Sequence, residues 1–264
     1  MHTDHPAARL LLHPRWIVSA ALVMLSGIAW VSLLHNPAGL GCLTPTVHTP
    51  YTAHAKPPGY ASLADSMSVL SMWFVMSIAM MLPTAAPAIL TFSDLAERAR
   101  HTTRPLSEGA FVTGYLLAWL AFCALATLAQ WGISTVSQHL HRATHDWVFG
   151  ALLLLAGAYQ FAPLKQACLT KCRNPMTFFI AHWREGLAGA LRLGLHHGAY
   201  CVGCCWALML LMVATGTMDL GFTAGLTVLM LIEKVLPAGL WIGRAVGVAL
   251  VAWGTVWIAP GLIH

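Results

Sequence analysis

Charge is what this 264-residue sequence has least of: 9% of its residues are Asp, Glu, Lys or Arg, against roughly a quarter in an ordinary soluble domain. With 58% hydrophobic residues and a mean hydropathy of +0.70, it is not the sequence of a water-soluble globule. The fold class expected is all-α, a polytopic membrane helical bundle. At about twenty residues per helix with short connections there is room for six or seven spans and no sizeable soluble domain, so function must lie in the bundle or its loops. Other absences narrow the chemistry. The chain contains no Gly-x4-Gly-Lys-Ser/Thr, no Gly-x-Ser-x-Gly and no His-Glu-x-x-His, which leaves nucleotide-driven and hydrolytic activity without a basis. Nor does the net charge of +5 point to nucleic acid, because the basic residues sit in short loops between apolar runs, where insertion orientation accounts for them.

What is present is a succession of apolar runs. Residues 1–15 form a tail with Arg9, Arg15, His2, His5 and His13, and residues 16–34 follow as an uncleaved first span. Five prolines and several glycines make 35–66 an irregular loop. Further spans are expected at 67–92, 109–136, 147–162 and 198–217. Between the last two, residues 177–195 mix aromatic and basic side chains, as an amphipathic helix on the membrane surface would. Glu233, Lys234 and Pro237 divide the final apolar stretch into 221–236 and 238–258. The Lys- and Arg-rich segments are the tail, 93–108, 163–197 and 233–244. Their alternation with poor ones predicts seven spans in a single domain (16–260), with the N-terminus cytoplasmic.

Five of the seven cysteines fall within 38 positions: Cys168 and Cys172, then Cys201, Cys204 and Cys205. Offsets of three and four place the triplet on one helix face. Convergent thiolates bind soft metals or exchange disulfides. The charge pattern puts both groups at the cytoplasmic side, the pair in a loop and the triplet just inside its span, and a reducing cytosol keeps such thiols unpaired unless they carry a metal or turn over. The triplet's face continues back to His197 and on to Met209 and Met212. Thiolate, imidazole and thioether are the donors Cu(I) prefers, although methionines also serve simply as flexible packing. Met72, Met76 and Met80 form a second stripe with Met81 beside it. Met80 and Met81 should reach the depth of the triplet, where Pro83 and Pro87 loosen the backbone.

Other residues carry weaker signals. His139, His141 and His145 lie in a loop expected outside, able to capture a cation or simply to be solvated. Cys42 stands alone in the outer loop, and Cys123 reads as packing. Snorkelling at an interface explains Lys234 and Arg244, which leaves Glu233 either paired with a base or binding an ion.

Met80-Met81-Leu82-Pro83, Gly157-Ala-Tyr-Gln160 with Pro163-Leu-Lys165, Cys168, Cys172-Arg173, Trp183-Arg184, Gly198, Cys201-Val-Gly-Cys-Cys-Trp-Ala-Leu-Met209, and Glu233-Lys234 with Pro237 and Arg244 together resemble the uncharacterised bacterial family of predicted metal-binding integral membrane proteins. The resemblance runs from the second span to the last, and its Cys-x2-Cys-Cys-Trp element is the specific part. It implies a metal-binding class and a candidate site. The function expected is that of a multi-pass protein of the bacterial inner membrane whose partners are the lipid bilayer and a soft metal ion, copper ahead of zinc, held for handling, transfer or transport. Cys201, Cys204 and Cys205 are the primary candidate ligands, with Cys168 and Cys172 completing or relaying the site. Two other readings stand beside it: thiol-disulfide exchange between the pair and the triplet, and a structural or assembly role with other membrane subunits.

Overall fold

The computed structural model describes residues 14–35, 63–98, 104–137, 142–214 and 220–262, and among them all regular structure is helical. The helices are α1 (Pro14–His35), α2 (Leu63–Arg98), α3 (Arg104–Ser137), α4 (Arg142–Tyr159), α5 (Pro163–Arg173), α6 (Pro175–His182), α7 (Gly186–Ala214), α8 (Leu220–Val235) and α9 (Gly239–Leu262). Five of them, α1, α2, α3, α7 and α9, are long and apolar enough to cross a membrane. A sixth crossing is formed if α4 and α5, bent by 61° at their junction, count as one. The expectation of seven spans differs from this at α8. Its 16 residues extend about 24 Å at 1.5 Å per residue, short of the ~30 Å hydrocarbon thickness.

The segment 177–195 is not one helix. It breaks at 183–185, and its second part is the start of α7. The fifth span thus begins at Gly186 rather than near Gly198, which places the cysteine triplet midway along its helix instead of at its head. The reason lies in packing against α3, the most extensive helix pair in the molecule. Gly114 sits against the backbone of Leu191, and Gly194 against the carbonyl of Phe111. A Cβ at Gly198 would stand 2.9 Å from the Tyr115 carbonyl oxygen. Small residues of this kind let two backbones approach closely.

Helix α2 passes through Pro83 and Pro87 without ending. A proline cannot donate to the carbonyl four residues earlier, so Pro83 frees the carbonyl of Ala79. Two side chains of α1 satisfy it: Ser26 Oγ donates at 3.2 Å and Trp30 Nε1 at 3.1 Å. Helix α6 adds an aromatic layer to the core, with Phe179 against Phe92, Phe111 and Phe178. Helices α1 and α9 turn Val23, Ile28, Trp241, Val248 and Val256 outward, as helices facing lipid do.

Candidate metal centre

Cys201, Cys204 and Cys205 are all buried, and the two later thiols donate to the carbonyl of Cys201 at 3.1 and 2.9 Å. Helix α5 brings further sulfurs, with Cys172 half-buried against the core that holds the triplet. Cys168, one turn earlier, lies against Gly203, where a Cβ would come within 2.8 Å of its sulfur. Tyr159, at the α4 end, donates its hydroxyl to the Gly203 carbonyl. The narrow face at Gly203 is what lets α5 approach α7 closely enough to add cysteines to the triplet.

From α2 comes Met81, whose Sδ lies 3.9 Å from Cys205 Sγ. Met80, Met209 and Met212 are buried in the same core, but Met81 is the methionine drawn to the thiols. His197 is buried one turn before Cys201. Its ring sits among Phe111, Tyr115, Phe178 and Phe179 at centroid distances of 6.0 to 6.1 Å, and its Nδ1 has no hydrogen-bond partner.

Two residues that the sequence did not mark as part of the site complete the cluster. Lys234 does not snorkel. Because α8 is short, its end turns into the protein, where Nζ is buried and donates to Thr84 Oγ1 at 2.9 Å, to Cys201 Sγ at 3.1 Å and toward Met81 Sδ at 3.9 Å. Tyr115 places its hydroxyl 3.2 Å from Cys201 Sγ and donates to the Met81 carbonyl at 3.1 Å. The glycines Gly194 and Gly198, which hold α3 tightly on α7, are the sequence signal that could have pointed to Tyr115. The other charge of α8, Glu233, pairs with buried Lys165 at 2.8 and 3.0 Å, and Lys165 also donates to Gln160. That decides between the two readings of Glu233 in favour of a base.

Cys123 is buried against Ser77, 3.3 Å away. Cys42, His139 and His141 lie outside the described residues, as does the side chain of His145.

Three buried thiols, a thioether and an ammonium thus meet where α2, α7 and α8 converge, with Cys168 and Cys172 of α5 packed on the same core. Sulfur donors suit a soft ion, and the ammonium balances negative charge that thiolate ligation brings. Among the described residues no three His, Cys, Asp or Glu side chains already stand in ligand geometry. Cys204 and Cys205 instead turn their S–H groups to a carbonyl. Residues 70–257 match the model of a family described as PpoB2, copper chaperone. The chain belongs to that family. Membership in the PpoB2 copper chaperones establishes copper handling in general, and the matched region contains every element of the sulfur cluster. No curated protein and no solved structure is similar to the chain.

Proposed function

We propose that the protein holds Cu(I) within a multi-pass bundle of the bacterial inner membrane and passes it to an acceptor. The ligands are drawn from Cys201, Cys204, Cys205 and Cys172, with Met81 as a thioether donor and Cys168 on the approach. The observation that carries this reading is the meeting of sulfurs from α2 and α7 around one buried lysine, with those of α5 packed on the same core. Thiolate and thioether together select a soft monovalent ion over Zn²⁺, so copper is favoured over zinc. The alternation of basic segments favours a cytoplasmic N-terminus, and the mid-helix position of the triplet supports a site deep in the bundle.

Element analysis of the purified, Cu(I)-loaded protein tests this. The unaltered chain is expected to retain copper after removal of excess, and C204S/C205S to retain almost none. Equal, negligible copper in both would sink the proposal. Release of the thiols by reductant, with no effect of a chelator, would point to disulfide exchange instead.

A further inference from the structure

Beyond the aromatic layer from the cysteines, α6 and the first turns of α7 enclose a cavity of about 150 Å³ lined by His182, Trp183, Arg184, Arg192 and His196. His182, Arg184 and Arg192 are exposed and His196 is half-buried, so the cavity opens to the surface. His182 Nδ1 lies 2.9 Å from the carbonyl oxygen of Phe178. A carbonyl only accepts, so Nδ1 carries the hydrogen and the Nε2 lone pair remains for another partner. A backbone carbonyl behind one ring nitrogen is the support that metal-binding histidines commonly have. The His196 ring stands 6.4 Å from that of His182, centroid to centroid. With metal–nitrogen bonds of about 2.0–2.1 Å and a ring nitrogen about 1.1 Å from its centroid, two imidazoles on opposite sides of one ion stand roughly 6–6.5 Å apart.

We infer that His182 and His196 form a second, surface metal site where Cu(I) first enters the protein, which rests on the reading of the buried cluster as its destination. The two arginines give the cavity its character. They disfavour a bare cation but suit the acid groups of a carrier, since guanidinium pairs with carboxylate in a directed fork. The ion is therefore delivered as an anionic thiolate complex whose carboxylates meet Arg184 and Arg192. Imidazole nitrogens replace the carrier's thiolate on the metal, the thiolate leaves with its electron pair and charge, and copper stays Cu(I) throughout.

The way inward is a chain of contacts. The His182 ring stands 4.8 Å from Phe178, and Phe178 stands 6.0 Å from His197. His197 follows His196 directly, is buried, and keeps an unpartnered Nδ1. It stands 6.1 Å from Tyr115, whose hydroxyl reaches Cys201. A lone imidazole with an open nitrogen between the surface pair and the thiols suits an intermediate stop.

The test uses full-length protein with a tag free of histidine and Ag(I) as a redox-inert probe. In a chain with all seven cysteines changed to serine and M81L added, equilibrium dialysis is expected to leave about one Ag(I) per chain, and adding H182N/H196N to lower its affinity at least ~10-fold. In the otherwise unaltered protein, H182N/H196N should slow copper uptake from an anionic dithiol complex of Cu(I) about tenfold while the copper bound at equilibrium stays the same, which also shows that the fold survives. R184Q/R192Q should slow uptake from that complex but not uptake of uncomplexed Ag(I). Unchanged Ag(I) affinity together with unchanged uptake rates in H182N/H196N would overturn the surface site. Ag(I) retained at the histidines by a chain whose cysteines take no copper would keep this site and sink the buried one.

Discussion

Two buried lysines, Lys165 and Lys234, stand on either side of the end of α8, and their surroundings differ in kind. Lys165 meets both oxygens of Glu233 and the amide oxygen of Gln160. Lys234 meets a hydroxyl, a thiol and a thioether, with no carboxylate among its described partners. The first arrangement is complete, each charge answered by its opposite. The second is open: its charge meets no carboxylate among the described residues, and of its two sulfur partners only the Cys201 thiol can become anionic, the Met81 thioether having no proton to lose. Two thiolates holding one Cu(I) carry a single net negative charge, which one ammonium balances. Adjacent positions in the sequence thus hold a matched charge on one side and an unmatched one on the other.

Removing one member of the matched pair should give the largest effect on stability. E233A strands a buried ammonium and is expected to cost about 3–5 kcal/mol in denaturant unfolding of the micelle-bound protein, with K165M/E233M recovering most of that loss. A neutral E233A would show that the pair locks nothing. K234M, by contrast, should leave more of the fold intact and weaken Cu(I) binding roughly 10–100-fold in competition with a chelator, as loss of a group supporting metal ligands does. Unchanged copper affinity with a stability loss as large as that of E233A would erase the distinction between the two lysines. The smallest effect is expected from G198A, whose added Cβ meets Tyr115 O at 2.9 Å and Ala118 Cβ at 2.7 Å. Forcing α3 away from α7 should cost about 1–3 kcal/mol and loosen Tyr115 over Cys201, which unfolding and copper titration would both register.

How far these surroundings were legible in the sequence depends on how local their cause is. The i, i+3, i+4 spacing of Cys201, Cys204 and Cys205 is a property of one helix and needed nothing else. The arrival of Met81 at the triplet followed from comparing the depths of two helices. Cys168 and Cys172 were candidates together, but their placement against α7 depends on the 61° bend between α4 and α5, which no periodicity encodes. Lys234 was misread for a similar reason. A lysine ending an apolar run has the same sequence whether it faces headgroups or the interior, and only the shortness and placement of α8 decide. The start of the fifth span was obscured because Arg192, His196 and the glycines lower local hydropathy, while those same glycines create the contact that extends α7 back to Gly186.

The proline of α2 has a consequence outside the cluster. Helix α1 supplies none of the cluster's residues, yet Ser26 and Trp30 hold the carbonyl that Pro83 leaves open at Ala79, two residues before Met81. Buried away from water, such a group left bare costs several kcal/mol, so α1 acts as a brace on the stretch that carries Met81. Any partner or lipid that peels α1 from α2 would act on the position of Met81 from across the helix, without touching a sulfur.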